Sequence, residues 1–144
     1  MKIVLQRVSS ASVKVDSKIV GSIENGLLLL IGFSSTDTEE SILPTIEKIV
    51  KLRIFSDEEG KMNKSVLDVN GSALLVSQFT LYADTKKGNR PSFIEAARPE
   101  QAIPLYEFFI TEMKNLISKV ETGIFGADMK VELVNDGPVT IVFD

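Results

Sequence analysis

The beginning of the chain alternates apolar and polar residues at the spacing of β-strands. Residues 2–8 predict one strand, and residues 11–23 predict a hairpin that turns at Asp16–Ser17. A turn signal at residues 24–26 then leads into residues 27–33, which are almost entirely apolar. Such a run predicts a strand that is buried on both faces.

Two longer segments instead repeat apolar residues every three or four positions, as amphipathic helices do. Residues 35–55 begin with acidic side chains and carry Lys48 and Lys51 further on, the arrangement that the helix dipole favours. Pro44 should therefore lie in the first turn of this helix or bend it. Residues 99–120 predict the second helix.

The remaining segments predict loops and three more strands. Residues 56–65 and 84–93 are polar and rich in turn-forming residues, and they predict loops. Residues 73–83, 127–135 and 139–144 predict strands. The last two are separated by "NDGP", whose residues favour a turn.

Together these elements predict an α+β fold in which one domain spans residues 1–144. A chain of 144 residues is typical of a single domain, and 44% apolar residues can supply its core. Several strands with only two main helices favour a curved or barrel-like sheet with both helices packed to one side.

Composition excludes several kinds of catalysis. The chain has no Cys, which excludes disulfides, thiolate metal sites and Cys nucleophiles. It also has no His, which excludes a Ser-His-Asp triad and most zinc chemistry. Catalysis would have to use carboxylates, Lys, Ser or Thr, backbone groups or the substrate itself.

Charge and hydropathy favour a soluble cytoplasmic protein without a membrane partner. The net charge of −4 argues against a broadly basic nucleic-acid surface, although a local basic patch remains compatible with it. The apolar run at the N-terminus breaks at Gln6 and Arg7, so it does not resemble the core of a signal peptide. The longest apolar run, residues 26–33, is too short to span a bilayer.

The segment "SQFTLYAD", residues 77–84, is the first candidate for chemistry. Ser77 or Thr80 could act as a nucleophile, or the local backbone could bind an anion. The pattern alone favours a strand end whose polar groups are satisfied locally. A nucleophile needs a base, and without His only a Lys of the next loop or Asp84 is available.

A second candidate is the cluster of Lys86, Lys87 and Arg90 in an otherwise acidic chain. Clusters of this kind are commonly no more than solvated surface. They also contact phosphate groups, and an Arg side chain can bind two phosphate oxygens at once. Both interpretations stay open on the residues alone.

Two motifs together carry a resemblance to a known family. "SQFTL", residues 77–81, combined with "NDGPVT", residues 135–140, resembles the D-aminoacyl-tRNA deacylases of the D-Tyr-tRNA deacylase type. The resemblance runs through the whole chain in the order of the family. It is also carried by residues 6–16, 52–65, 83–93, 104–109 and 126–140.

The resemblance implies an enzyme that hydrolyses the ester between a D-amino acid and the 3′ end of tRNA. Members of the family also act on glycyl-tRNA, including glycine mischarged on tRNA-Ala, and they need no metal or cofactor. The implied fold is a homodimer of barrel-like α+β subunits with the active sites at the interface. The implied partners are the acceptor end of aminoacyl-tRNA and a second copy of the chain.

The resemblance also assigns roles to particular residues. Gly137 and Pro138 are implied to form a cis peptide bond that reaches into the partner's pocket and rejects L-amino acids. Arg7 is implied to hold that pair in orientation. The residues implied for catalysis are Ser77, Gln78, Phe79 and Thr80, and those implied for substrate binding are Asn135, Gly137, Pro138, Arg7, Lys86, Lys87 and Arg90.

Two other interpretations remain open. One is a Ser/Thr esterase for small esters, in which Ser77 or Thr80 forms an acyl-enzyme. The other is a non-enzymatic dimer that binds RNA ends. For the deacylase, we expect backbone N–H groups near Phe79 and Thr80 to stabilise an oxyanion. The Thr80 side chain is then expected to position the substrate.

Overall fold

A single long strand, β1, organises the sheet. In the computed structural model, which describes every residue from 1 to 144, β1 spans Lys2–Val15. One of its edges pairs along most of its length with antiparallel β8, Lys130–Phe143. The other edge pairs first with β3, Gly26–Gly32, and then with β2, Lys18–Ile23, both antiparallel. Because β1 changes partner halfway, the sheet curves around it.

Parallel strands extend the sheet beyond β3. β6, Ser72–Ser77, pairs with β3, and β7, Val120–Thr122, pairs with β6. Gly21 in β2 comes so close to β7 that a Cβ atom there would lie 2.6 Å from the carbonyl oxygen of Thr122. The two ends of the sheet therefore approach each other, and the sheet forms a nearly closed barrel.

Two helices, α1 at Glu39–Lys51 and α2 at Pro99–Leu116, contact each other and pack on the sheet. Thr38 caps α1, because its hydroxyl accepts a hydrogen bond of 3.1 Å from the backbone N–H of Ser41. Neither helix is both long enough and apolar enough to cross a membrane.

The central strands are buried on both faces. Leu27, Leu29 and Ile31 of β3 belong to the larger core cluster, which they share with both helices. Leu28 points to the opposite face and packs with Leu74 of β6 in a smaller cluster inside the barrel. The prediction of a strand buried on both faces is therefore confirmed.

The predicted α+β architecture, with a barrel-like sheet and two helices, is confirmed. The hairpin turn at Asp16–Ser17 is also confirmed, and both residues have positive φ angles, 50° and 66°. The helix bounds were less accurate. Residues 99–120 are helical only to Leu116, and the chain then enters β7. Pro44 lies inside α1 and not in its first turn.

Two other predictions near the middle of the chain were wrong. The predicted loop at residues 56–65 contains β5, Met62–Lys64, which pairs antiparallel with β4, Phe55–Ser56. The predicted strand at residues 73–83 ends at Ser77, because the chain leaves the sheet there and forms a short 3₁₀ turn.

The turn predicted at "NDGP" was wrong as well. The two segments predicted as separate strands, residues 127–135 and 139–144, both contribute to the single strand β8, which begins at Lys130 and ends at Phe143. Both halves of β8 pair with the same strand, β1, so "NDGP" interrupts the pairing without reversing the chain.

Candidate active site

The segment from Ser77 to Thr80 is positioned by the buried strand that precedes it. β6 enters the segment through Val76, which is buried, and the chain then turns into the 3₁₀ turn at Phe79–Tyr82. The backbone N–H of Gln78 still donates to the carbonyl oxygen of Ile31 in β3, at 2.7 Å. The segment therefore begins on the rigid edge of the core.

Tyr106 of α2 ties the same strand to the helices. Its buried hydroxyl donates to the carbonyl oxygen of Leu75 at 2.8 Å. Burial raises the pKa of Tyr106 well above its ordinary value of 10.0, so this hydroxyl stays protonated as a donor.

The polar side chains of the segment engage each other. The side-chain amide of Gln78 donates a short hydrogen bond to the Thr80 hydroxyl. No charged side chain hydrogen-bonds to Thr80 in the structure. The carboxylate of Asp84, the nearest acidic residue in sequence, instead accepts from the backbone N–H of Lys86 at 2.9 Å. Thr80 therefore has no general base paired with it.

A cavity of about 260 Å³ lies beside this segment. It is lined by the ends of β3 and β6, including Ser77, Gln78 and Phe79, and by the stretch from Phe125 to Ala127. Ten of its 14 lining residues are hydrophobic. An apolar cleft that meets a few polar groups is the usual form of a small-ligand site.

The second motif forms a long bulge of four residues in β8. On β1 only Arg7 lies between two paired positions, whereas residues 136–139 lie between the corresponding partners Asn135 and Thr140. The Gly137–Pro138 peptide bond is cis, and both residues are exposed. This segment, residues 135–140, is called the Gly-Pro bulge below.

Arg7 anchors the Gly-Pro bulge to the body of the protein. Its Nε donates to the carbonyl oxygen of Asp136 at 2.8 Å, and its Nη1 donates to the carbonyl oxygen of Ile54 at 2.6 Å. The Asp136 carboxylate lies 4.0 Å from Nε, and the Arg7 side chain is only 11% exposed. A planar guanidinium suits this task because its donors point in fixed directions.

Asn135 spans the base of the bulge. Its Oδ1 accepts from the backbone N–H of Val139 at 2.8 Å, and its Nδ2 donates to the carbonyl oxygen of Val139 at 3.2 Å. The same Nδ2 donates to the Thr140 hydroxyl, also at 3.2 Å. One side chain thus replaces the ladder bonds that the bulge interrupts.

Gly137 has no room for a side chain. Its φ of +145° is one that L-residues rarely adopt, and a Cβ atom would lie 2.8 Å from Val139 and 3.2 Å from Nη2 of Arg7. The sequence singled out Arg7, Asn135, Gly137 and Pro138. It did not reveal that the carbonyl oxygens of Asp136 and Ile54 are the acceptors for Arg7.

The two motifs do not share a cavity within one subunit. The cavity beside Ser77–Phe79 is lined by no residue of the Gly-Pro bulge. The bulge lies further along β8, whose Val131 lines the cavity, and β8 pairs only with β1, so its outer edge is free.

The three basic candidates lie on one loop. Asp84 and Ser92 close it through two backbone hydrogen bonds of 2.8 and 2.9 Å. Lys86, Lys87 and Arg90 are all exposed, and none makes an ion pair. These three residues are called the basic tip below. No cluster of three or more carboxylates that could hold a metal ion is present.

Comparisons with known proteins place these features in a family. Residues 4–144 match the family model described as D-Tyr-tRNA(Tyr) deacylase. A D-aminoacyl-tRNA deacylase of Flavobacterium psychrophilum is 59% identical over 100% of this chain and 97% of its own length.

Two solved structures share the fold of this chain. The c-Myc DNA unwinding element binding protein superposes with a TM-score of 0.94 at 41% identity, covering 100% of this chain and 98% of its own. A probable eukaryotic D-amino acid tRNA deacylase shares the fold with a TM-score of 0.85 at 19% identity, covering 99% and 97%. The chain belongs to the D-Tyr-tRNA(Tyr) deacylase family.

Proposed function

We propose that this protein hydrolyses the ester bond of D-aminoacyl-tRNA, releasing the free D-amino acid and tRNA, and leaves L-aminoacyl-tRNA intact. The observation that carries the proposal is the match of the whole chain, at 59% identity, to a protein named D-aminoacyl-tRNA deacylase. The cavity beside Ser77–Phe79 supports it as a place for the terminal nucleoside and its ester. We propose that it acts on aminoacyl-tRNA in the cytoplasm.

The chemistry proposed for Ser77–Thr80 is stabilisation of charge. Water attacks the ester carbonyl carbon, the oxyanion forms, and the bond to the ribose 3′ oxygen breaks as that oxygen gains a proton. The backbone N–H groups of Phe79 and Thr80 start a helical turn, where N–H groups have no acceptor within the turn. Such groups stabilise an oxyanion. An aminoacyl ester is already activated, so this contribution, with the neighbouring 2′-hydroxyl, is sufficient.

Thr80 is proposed to position the substrate. A Thr nucleophile requires a base, and the hydrogen-bond partner of the Thr80 hydroxyl is the neutral amide of Gln78. This arrangement supports direct attack by water over an acyl-enzyme. The small-ester hydrolase is thereby less well supported than the deacylase.

Chiral selection is proposed to need two subunits. The cavity lacks any contribution from the Gly-Pro bulge of its own chain, and the bulge projects from a strand with a free edge. Exposed Val134 and Val142 on that strand are the kind of apolar surface that an interface covers. In the proposed homodimer, the bulge of each subunit enters the cavity of its partner.

The proposed gate acts by exclusion. Gly137 and Pro138 form a rigid backbone wall against the Cα of the bound amino acid. An L side chain points into this wall and clashes, whereas a D side chain points to solvent. Glycine has no side chain to exclude, so glycyl-tRNA, including glycine mischarged on tRNA-Ala, is also a substrate. The basic tip is proposed to contact phosphates of the acceptor end.

The test is a deacylation assay that compares D-Tyr-tRNA with L-Tyr-tRNA in the presence of a chelator. The proposal predicts rapid loss of the D ester only. Equal loss of both esters would leave an esterase without chiral selection, and loss of neither would favour a protein that only binds RNA ends. A sedimentation mass equal to the 15.8 kDa monomer would contradict the shared site.

A further inference from the structure

Phe79, which lines the cavity, and Phe93 and Ile94, which follow on the next loop, present large apolar side chains to solvent. Phe79 is 55% exposed, Phe93 is 36% exposed and Ile94 is 88% exposed. The rings of Phe79 and Phe93 meet edge to face with their centroids 5.1 Å apart. Phe79 and Phe93 are called the aromatic ledge below. Exposed apolar groups that lie together, unlike single ones, indicate a contact surface.

The ledge is held in place by the backbone on both sides. The hydrogen bonds between Asp84 and Ser92 fix the chain immediately before Phe93. After it, the N–H of Ala96 donates to the carbonyl oxygen of Phe93 at 3.1 Å, and the N–H of Ala97 donates to Phe33 at 2.8 Å. A ring presented on a fixed backbone loses little conformational entropy when a ligand stacks on it.

The position of the ledge connects the cavity with the basic tip. Phe79 belongs to both the ledge and the cavity lining. The same Asp84–Ser92 pair that fixes Phe93 also closes the loop that carries Lys86, Lys87 and Arg90. A path from the cavity therefore passes exposed rings and then cations.

This combination selects one class of occupant. Aromatic faces beside cations form the usual surface for single-stranded nucleic acid, where bases stack and phosphates meet Lys or Arg. The cores of protein interfaces are depleted in Lys, so the two Lys side chains on the loop that leads to Phe93 argue against a protein interface core at Phe93. Their charge is complementary to phosphate in a chain whose net charge is −4.

We infer that the aromatic ledge stacks the unpaired bases that precede the terminal nucleoside of bound tRNA, while the basic tip contacts the phosphates of the same strand. The inference rests on the proposed function, because it assumes that the terminal nucleoside occupies the cavity. Substitution of Phe93 tests the ledge separately from the cavity, because Phe93 does not line the cavity whereas Phe79 does.

The experiment compares two substrates with the same reacting ester, D-Tyr-tRNA and D-tyrosyl-adenosine, which lacks the preceding bases. Phe93→Leu keeps an apolar side chain and removes the ring. We expect kcat/KM for D-Tyr-tRNA to fall about 5- to 150-fold, the effect of losing one base stack. We expect kcat/KM for D-tyrosyl-adenosine to stay unchanged. Phe93→Trp restores a stacking face and should preserve the activity on D-Tyr-tRNA.

Leu116→Ala is the matched control, because Leu116 is 38% exposed at the end of α2, as exposed as Phe93. Leu116→Ala should leave kcat/KM unchanged for both substrates. An equal fall on both substrates with Phe93→Leu would overturn the inference, because the ring would then support the cavity. The inference would also be overturned if Phe93→Leu left kcat/KM unchanged for both substrates, or if it changed the sedimentation mass.

A binding assay separates this inference from the proposed function. Fluorescence anisotropy of labelled, uncharged tRNA needs no hydrolysis. If the wild-type protein hydrolyses neither ester, the proposed function fails. The anisotropy then shows by itself whether the aromatic ledge contributes to tRNA binding. Weaker binding by Phe93→Leu than by Leu116→Ala supports the ledge, and equal binding by the two contradicts it.

Discussion

The two motifs of the candidate site are held by different forces. The segment Ser77–Thr80 continues a strand whose residues from Ala73 to Val76 are fully buried, and it is placed by core packing. The Gly-Pro bulge is exposed at its tip and is placed by hydrogen bonds from the side chains of Arg7 and Asn135.

This difference separates stability from selectivity. Core packing is shared by many residues, so damage to it lowers the stability of the whole domain. Two side chains hold the bulge, so a change in either one moves the bulge while leaving the core intact. The reaction and its chirality should therefore respond to different substitutions.

Leu75→Ala should give the largest change in stability. Leu75 is completely buried in β6, and such a truncation costs about 2–5 kcal/mol of the free energy of unfolding. Urea denaturation measures this loss. The ratio of D-Tyr-tRNA to L-Tyr-tRNA hydrolysis, measured where the variant is fully folded, should stay at the wild-type value. A lower ratio would show that selectivity also depends on the core.

Arg7→Lys should lower selectivity more than Leu75→Ala does and stability less. The single ammonium group of Lys cannot replace the two guanidinium N–H groups that donate to the carbonyl oxygens of Asp136 and Ile54. The loss is about 2 kcal/mol of stability by urea denaturation, and the ratio of D to L hydrolysis should fall. Arg53→Lys makes the same exchange at an exposed position and should change neither quantity. An unchanged ratio with Arg7→Lys would remove Arg7 from the account of selectivity.

Asn135→Asp should have a smaller effect. The carboxylate keeps an acceptor for the N–H of Val139 but has no donor for the Val139 carbonyl oxygen or the Thr140 hydroxyl. We expect a loss of about 1 kcal/mol in urea denaturation and a decrease in the D-to-L ratio smaller than that of Arg7→Lys. Asn115→Asp, which adds the same charge at an exposed position of α2, is the control. Equal ratios for the two variants would contradict the role of Asn135.

The smallest effect concerns Tyr106, which hydrogen-bonds to β6, and the stability of the folded protein at alkaline pH. Burial raises the pKa of Tyr106 above its ordinary value of 10.0 in the folded protein. Below that value both states hold the proton, and above it the unfolded state loses the proton first, so stability falls as pH rises. Tyr106→Phe should make this fall smaller in urea midpoints taken between about pH 9 and about pH 11. Burial raises the pKa of Tyr82 too, so part of the fall should remain. An unchanged pH dependence would contradict this assignment.

Local sequence patterns predicted much of the fold. The alternation in residues 11–23 and the turn at Asp16–Ser17 are properties of neighbouring residues, and the structure contains both. The two helices likewise follow from local periodicity. The polar stretch that contains β5 shows no such alternation. β5 is only three residues long, too short for a local pattern to reveal, and it forms a strand by pairing with β4.

The bulge shows why the site could be predicted only in part. Asn, Asp, Gly and Pro favour a turn locally, but β1 pairs with β8 on both sides of them and keeps the chain extended. The bond from Arg7 to Ile54 joins residues 47 apart, which no local pattern encodes. The candidate residues were recognisable by motif, whereas their separation within one subunit depends on the topology of the sheet.

The most direct test of this account is the ratio of D-Tyr-tRNA to L-Tyr-tRNA hydrolysis in the wild-type protein and in Pro138→Ala. Removal of the Pro138 ring shortens the proposed wall and frees φ at that position. The account predicts a high ratio for the wild type and a ratio lower by roughly tenfold or more in the variant, equivalent to about 1.4 kcal/mol. A wild-type ratio that Pro138→Ala leaves unchanged would contradict the assignment of chiral selection to the Gly-Pro bulge.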